Sequence, residues 1–154
     1  MIMFTLKPIA TVKNDRKEIA DDFWGEVISV IELDSDIDER SLDGIESFSH
    51  VEVFYVFDRV SDDKVEYGAR HPRNNQDWPE IGIFAQRGKN RPNKLGATIV
   101  KVLKHEGRLL TVVGLDAIDG TPVVDLKPVM KEFLPREEVF QPNWSSELMA
   151  DYWK

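Results

Sequence analysis

The 154-residue sequence contains no cysteine, which excludes disulfide bonds, thiolate metal sites and cysteine nucleophiles together. Its three histidines are widely spaced and form no pattern of metal ligands. No apolar run is long enough to span a membrane, and the N-terminus lacks the basic start and cleavage site of a signal peptide. These absences predict a cytoplasmic protein with no bound metal and no membrane partner.

The sequence also lacks four familiar motifs of nucleotide-binding and hydrolytic proteins. It contains no G-x-G-x-x-G, no G-x-x-x-x-G-K-[ST], no G-x-S-x-G and no H-E-x-x-H. The usual dinucleotide, P-loop, hydrolase and zinc-protease readings therefore have no support. Any small ligand must be held by a less familiar arrangement.

Charge is unevenly distributed along the chain. The formal net charge is −8, which argues against a general nucleic-acid binder, because such proteins need a basic face. Residues 87–108 are the exception, with one acid, Glu106, against the cations Arg87, Lys89, Arg91, Lys94, Lys101, Lys104 and Arg108. This asymmetry favours an anionic ligand at that segment, although Lys101 and Lys104 also fit the solvated side of a strand.

Hydrophobic patterning is mainly that of β-strands, with runs rich in Val, Ile, Phe and Tyr. Strands are predicted at residues 5–11, 23–33, 48–57, 81–85, 97–105, 108–114 and 122–126, with Trp24, Phe54, Tyr55 and Phe57 in the core. The dipeptide Glu106-Gly107 predicts a tight hairpin. Since closure removes exposed edges, the sequence predicts an all-β fold, a small closed or nearly closed β-barrel with a few short helices and a C-terminal helix.

Only residues 36–45 and 145–153 are predicted to be helical. In the second segment Ser145 or Ser146 can cap the helix, and one face carries Leu148, Met149, Tyr152 and Trp153. An apolar face of this kind must pack against another surface. It predicts a symmetric homodimer, the commonest closed oligomer, or a helix that covers its own barrel.

Two polar loops between the predicted strands are the best candidates for a binding site. The first, residues 87–96, carries four cations and no acid, so it can present positive charge and backbone donors to an anion. The second, residues 116–127, carries Asp116, Asp119 and Asp125 around a Gly-Thr-Pro turn, which suits hydroxyls or a cation. Together the loops predict a small polar ligand that has both kinds of group.

Two motifs in these loops resemble the TsaA-like family, typified by the tRNA N6-threonylcarbamoyladenosine methyltransferases, also called TrmO. They are GIFAQRGKNRPNKLG at residues 82–96 and GLDAIDGTPVVDLKP at residues 114–128, and GIESFSH at residues 44–50 is also similar. The resemblance covers about residues 4–130. The prediction is therefore a single domain, residues 1–154. About residues 4–130 are its motif-bearing core, and residues 131–154 are a C-terminal extension.

The resemblance implies a β-barrel that binds S-adenosylmethionine, usually as a homodimer, and methylates N6 of threonylcarbamoyladenosine beside the anticodon of certain tRNAs. The residues expected to bind the cofactor are Phe84, Ala85, Arg87, Arg91, Asn93, Asp116, Asp119, Gly120 and Thr121. Those expected to contact the substrate are His50, His71, Lys89, Lys94 and Lys127. No catalytic residue is assigned. The alternatives are methylation of another RNA or a small molecule, and a non-catalytic module that binds S-adenosylmethionine.

Several of these residues also have a structural interpretation. Arg87 and Arg91 either contact a ligand carboxylate or an RNA phosphate, or bridge to one of the three aspartates of the second loop. Asn93 suits a turn, and Lys127 suits an ion pair with Asp125. His50 is otherwise a partly buried imidazole at the start of a strand. The sequence departs from the commonest family form at Gly88-Lys89 and Lys94-Leu95, which makes the acceptor harder to predict than the cofactor.

Overall fold

A computed structural model describes all residues, 1–154. Its strands are β1 Ala10–Lys13, β2 Ile28–Leu33, β3 His50–Val56, β4 Ala69–Arg70, β5 Ile81–Gly82, β6 Leu95–Glu106, β7 Leu109–Val113 and β8 Pro122–Pro128. The single α-helix, α1, is Asn143–Leu148. Short 3-10 helices lie at Glu39–Leu42, Ile45–Ser47, Asp62–Lys64, Pro72–Asn74, Ile83–Ala85, Pro92–Lys94 and Lys131–Phe133.

Six strands close into a barrel in the order β1-β2-β7-β6-β3-β8, and each neighbouring pair is antiparallel. Strands β4 and β5 form a separate two-stranded sheet. The prediction of an all-β closed barrel with few short helices is therefore confirmed. No helix has the length and apolarity needed to cross a membrane.

Alternation along the strands builds the core of the barrel. In β3, Val51, Val53 and Tyr55 point inward and are buried, while the residues between them face outward. Facing strands add Ile31, Leu110, Val112, Val100 and Val123, all fully buried. Burial of each such side chain stabilises the fold by roughly 1.5–3 kcal/mol, so this interior supplies the main driving force for closure.

Strand β6 bridges two neighbours in succession. Its first part, from Leu95 to Lys101, pairs with β3, and its second part, from Lys101 to Glu106, pairs with β7 across the predicted Glu106-Gly107 hairpin. The register shifts between Val102 and Lys104. Because β7 ends at Val113, opposite Lys101, the ladder between these strands does not extend along the first part of β6. Both motif loops meet the barrel there.

Three predicted strands are shorter than the sequence indicates. The first begins at Ala10, not at residue 5, and the strand predicted at 81–85 becomes a 3-10 helix after Gly82. The strand predicted at 23–33 begins only at Ile28. The residues before Ile28 form a turn instead of a strand. Phe23 adopts a φ of 68°, and Val27 N donates to Trp24 O.

Both predicted helices also differ from expectation. Residues 36–45 form two 3-10 helices, separated by Gly44 with a φ of 90°, a conformation that only glycine adopts at little cost. Helix α1 begins at Asn143 and ends at Leu148, so its N-cap position is Pro142 and not Ser145 or Ser146. The Ser145 hydroxyl instead donates to Pro142 O.

The residues after α1 pack on the barrel of their own chain. Phe23 N donates to Asp151 O at 3.1 Å, and Trp24 N donates to Tyr152 O at 2.8 Å. The Trp78 indole N–H in the long loop donates to the Glu147 carboxylate at 2.8 Å. Tyr152, one of the residues of the predicted apolar C-terminal face, therefore contacts its own chain, as expected for a helix that covers its own barrel.

Gly96 on β6 makes possible the close approach of the Tyr55 ring. A Cβ at this position would lie 2.5 Å from two ring carbons of Tyr55. We expect Gly96→Ala to lower the free energy of unfolding by roughly 1–3 kcal/mol, because a rigid buried ring must shift. Gly82→Ala, whose Cβ would meet nothing within 4 Å, is the control and should change stability by less than about 0.5 kcal/mol. Urea denaturation of both variants measures the difference, and equal midpoints would contradict this account of Gly96.

Candidate functional site

The Asp116 carboxylate lies at the centre of the candidate site. It follows β7 and the buried Leu115, and it accepts three hydroxyl hydrogen bonds. Its Oδ1 accepts from the Tyr55 hydroxyl at 2.9 Å and from the Thr98 hydroxyl at 2.5 Å. Its Oδ2 accepts from the hydroxyl of Tyr152. A carboxylate removed from bulk water needs such donors, and this one is held by neutral hydroxyls instead of a cation.

The two tyrosines stay protonated under ordinary conditions. Burial, followed by the negative charge of Asp116, raises the pKa of Tyr55 well above its usual range. The same two causes raise the pKa of Tyr152. Both phenols therefore remain donors to Asp116 at every pH at which a protein of this kind works.

The Arg87 guanidinium is bound to β6, the strand that pairs with β3 at Tyr55. Its Nη2 donates to Ala97 O at 2.5 Å, and Ala97 directly precedes the Thr98 that binds Asp116. The Arg87 charge lowers the pKa of Tyr55 and so opposes the effect of Asp116. A cation from the first motif loop and a carboxylate from the second therefore act on one tyrosine without forming an ion pair with each other.

Arg91 holds the first motif loop in shape. Its Nη1 donates to Gln86 O at 2.7 Å and to Gly88 O at 3.3 Å. The predicted alternative, in which Arg87 or Arg91 bridges to an aspartate of the second loop, is wrong, because both guanidinium groups bind backbone carbonyls. Asn93 has a φ of 65°, a left-handed conformation typical of asparagine in turns. This agrees with its structural interpretation.

The turn at residues 119–121 is fastened to the start of the barrel. Asp119 accepts from Asn14 N at 2.9 Å and pairs with Lys17 Nζ at 2.8 Å. Gly120 N donates to Val12 O, and the buried Thr121 hydroxyl donates to Ile118 O, both at 2.7 Å. The polar groups expected to bind the cofactor thus bind their own chain here, and their contact with a ligand stays a prediction.

The residues expected to contact substrate are dispersed over the surface. Lys94 Nζ donates to Val60 O at 2.7 Å and pairs with Asp62 at 2.6 Å. His50 and Lys127 belong to the opposite end of β3 from Tyr55, since His50 begins that strand and Lys127 lies opposite Glu52. His50 and Tyr55 are five positions apart along this strand, about 16 Å. These side chains therefore do not converge with Asp116 on one small ligand.

Two further predicted contacts have other partners within the chain. The His71 ring nitrogen Nδ1 lies 2.7 Å from Trp78 O, and Lys127 pairs with Asp125 at 3.4 Å, the structural alternative considered for it. Lys89 is partly exposed in the first motif loop. Phe84 and Ala85 lie in the 3-10 helix that leads into that loop. The Phe84 side chain is 76% exposed, so its ring is accessible three positions before Arg87 in the sequence.

Sequence reasoning missed the hydroxyls of the site. Tyr55 was expected only in the core, Thr98 was not singled out, and Tyr152 was assigned to a docking face. One signal was present for Tyr55, since a tyrosine at an inward strand position needs a partner for its hydroxyl when it is buried. No local signal identifies Tyr152, because its contact with Asp116 joins the end of the chain to the second motif loop.

Comparison with known proteins agrees with the barrel and its two motif loops. A family model for the tRNA-methyltransferase O N-terminal domain matches residues 19–133, and the chain belongs to that family. A human tRNA (adenine(37)-N6)-methyltransferase is 38% identical over 104 residues, which are 68% of this chain but only 23% of the human protein. An S-adenosyl-L-methionine-binding protein of Archaeoglobus fulgidus is 35% identical over 133 residues, 82% of this chain and 90% of that protein.

A solved structure supports the fold independently. The crystal structure of TrmO from Pseudomonas aeruginosa matches with a TM-score of 0.70 and 24% identity, over 90% of this chain and 62% of that chain. The likeness concerns the fold. This chain thus spans less than two thirds of the bacterial protein and less than a quarter of the human relative.

The Asp119 contacts predict a defined pH dependence of stability. Hydrogen bonding to Lys17 and to the Asn14 amide lowers the pKa of Asp119. A lowered folded pKa stabilises the protein above the unfolded value near 4, and the contribution is lost as pH falls through the folded pKa. We expect Asp119→Asn to cost roughly 0.5–1 kcal/mol at pH 7, since the ion pair is partly exposed.

This cost should shrink as the pH is lowered below about 4, because wild-type Asp119 then becomes neutral as well. Urea unfolding of both proteins between pH 7 and pH 3 measures it. Asp77→Asn, which alters an exposed carboxylate away from the barrel turn, is the control. A cost for Asp119→Asn that stays constant down to pH 3 would contradict the ion-pair account.

Proposed function

We propose that this chain is an S-adenosylmethionine-dependent methyltransferase that methylates N6 of threonylcarbamoyladenosine beside the anticodon of tRNA. Family membership and the human relative, whose name specifies adenine 37 of tRNA, support the reaction. The single structural observation that supports it most is that Arg87 and Asp116 both act on Tyr55, Asp116 through a hydrogen bond and Arg87 through its charge. Each motif loop contributes one of these opposite charges.

The chemistry of this pair suits the amino-acid end of S-adenosylmethionine. Arg87 uses one Nη2 contact on Ala97 O, so the guanidinium keeps further N–H donors for an α-carboxylate. Asp116 Oδ1 already accepts two hydrogen bonds from the barrel wall, so an ammonium or a ribose hydroxyl of the ligand has Oδ2 as its acceptor. The exposed ring of Phe84 offers an apolar face to adenine.

When bound, S-adenosylmethionine supplies an electrophilic methyl group, so the protein's part is mainly to bind and orient. Alignment of the acceptor nitrogen with the methyl group can supply much of the acceleration without a covalent intermediate. That matches a chain without cysteine. The N6 proton of the acceptor lies between an adenine ring and a carbamoyl group, which makes it more acidic than that of a simple amine. A weak base that accepts this proton, or a deprotonation aided by a nearby cation, would therefore be sufficient, and the sulfur would leave as a neutral thioether.

The assembly and location expected from the sequence are retained as part of the proposal. We expect a cytoplasmic protein of one domain that forms a homodimer. Because Tyr152 is engaged within its own chain, the C-terminal helix face as first described would contribute only in part to the dimer surface. The outer row of β6, with Leu95, Ile99 and Leu103 each more than 40% exposed, is the apolar surface that favours a second copy.

A second candidate function is a non-catalytic module that binds S-adenosylmethionine. It is favoured by the Archaeoglobus fulgidus relative, which matches this chain over 90% of its own length and is named for binding alone. Both functions require the same cofactor contacts. They differ only in whether a methyl group leaves the site.

Cofactor binding tests the Arg87 assignment. Wild-type protein should bind S-adenosylmethionine in titration calorimetry, and Arg87→Ala should weaken binding by about tenfold or more, the usual effect of a lost charged hydrogen bond. Arg108→Ala is the matched control, since that guanidinium also donates to a backbone carbonyl, Asp34 O at 2.8 Å. Equal affinity in all three proteins would remove Arg87 from the site.

Methyl transfer tests the reaction itself. Purified protein with methyl-labelled S-adenosylmethionine should label tRNA that carries threonylcarbamoyladenosine, and nucleoside analysis should place the label on N6. The same tRNA transcribed without modification is the control and should accept no methyl, because it lacks the activated nitrogen. Cofactor binding without transfer to any tRNA would favour the binding module.

A further inference from the structure

The C-terminal residues 143–154, here called the strap, hold the remaining face of the Asp116 carboxylate. The hydroxyl of Tyr152 donates to Oδ2, while Oδ1 is already satisfied by Tyr55 and Thr98 from the barrel wall. A ligand that donates to Asp116 must therefore approach Oδ2. The Tyr152 phenol lies at that oxygen.

The strap is joined to the barrel by few contacts. Its backbone accepts two hydrogen bonds, from Phe23 N and Trp24 N, and its side chains add Tyr152 to Asp116 and Glu147 to Trp78. Residues 131–142, which precede it, are exposed, and their hydrogen bonds are local. None of the strap contacts belongs to the strand ladders of the barrel. The strap can therefore leave without opening the barrel.

The strap also lies outside the part of the chain that the family model matches, residues 19–133. Asp116, Tyr55 and Thr98 lie inside it. The three-hydroxyl arrangement is thus assembled from two elements of the family domain and one element added by the C-terminal extension.

We propose that the strap is an intramolecular competitor of the cofactor. Docked, it places Tyr152 on Asp116 Oδ2, and released, it uncovers that oxygen for an ammonium or hydroxyl donor of the ligand. The inference rests on the proposed function, since S-adenosylmethionine supplies donors of both kinds. Because only the released form binds fully, the apparent affinity of the chain is reduced by the fraction of molecules in which the strap is open.

Gly25 provides a way to release the strap without altering the site. A Cβ at Gly25 would lie 1.9 Å from Trp153 O, a backbone atom of the strap that cannot move aside while the strap is docked. Gly25→Ala should therefore displace the strap. Gly68→Ala, where a Cβ would meet only the Glu66 carboxylate at an ordinary contact distance of 3.5 Å, is the matched control.

A second pair of variants addresses the hydroxyl itself. Tyr152→Phe keeps the ring that packs edge-on against Trp153 but removes the donor to Asp116. Tyr67→Phe makes the same chemical change at a side chain that is 78% exposed, and serves as its control.

Strap docking is measured first, without ligand, by hydrogen exchange. The amides of Phe23 and Trp24 donate to the strap, so Gly25→Ala should remove their protection while barrel amides such as that of Val53 stay protected. Calorimetry with S-adenosylmethionine follows. Gly25→Ala and Tyr152→Phe should each bind at least about threefold more tightly than wild type, the effect of one competing hydrogen bond, and the two controls should match wild type.

The outcomes separate the two proposals. Loss of protection at Phe23 and Trp24 with unchanged or weaker cofactor binding would overturn the competitor, while cofactor binding itself would still stand. Retained protection of these two amides in Gly25→Ala would also overturn the competitor, since the strap would then stay docked despite the added Cβ. Absence of binding in wild type and in both released variants would overturn the proposed function, and the competitor with it.

Discussion

The partly buried carboxylate of Asp116, with its three hydroxyl donors, is the interaction on which the rest of the site depends. An ionised carboxylate out of bulk water costs several kcal/mol unless it is hydrogen-bonded, and here neutral hydroxyls of Tyr55, Thr98 and Tyr152 provide the bonds. The donors come from β3, from β6 and from the C-terminal segment. Satisfying one charged group therefore fixes three parts of the chain together. Gly96 belongs to the same constraint, since its missing side chain lets the Tyr55 ring reach Asp116.

The architecture was predictable because its causes are local. Alternation of buried and exposed residues marks β3, and Glu106-Gly107 marks the hairpin, so the barrel follows from periodicity and turn chemistry. The errors have physical reasons as well. Residues 23–27 are apolar enough for a strand, but Phe23 turns the chain with a positive φ and its amide goes to Asp151 O. That partner lies at the far end of the sequence and leaves no local trace.

The candidate site was predictable only to the level of its loops. The motifs identified the residues that surround Asp116 and Arg87, but not where their side chains point. From the sequence, Arg87 and Arg91 were expected to contact a ligand, with an aspartate of the second loop as the alternative partner, whereas in the structure both donate to backbone carbonyls. The bond from Tyr55 to Asp116 spans 61 positions of sequence, and only closure of the barrel brings its partners together. Such pairings depend on tertiary geometry, which spacing alone cannot supply.

The structure also changes what the basic segment at 87–108 means. Lys94 pairs with Asp62 and Lys104 pairs with Glu106, so two of its seven cations are neutralised within the fold. In a chain with a net charge of −8, the remaining cations limit the affinity that phosphate neutralisation can supply, because this affinity scales with the number of phosphates contacted. Under the proposed function, tRNA recognition would therefore depend on the shape and hydrogen bonding of the exposed anticodon-loop nucleotide more than on contacts to the body of the tRNA.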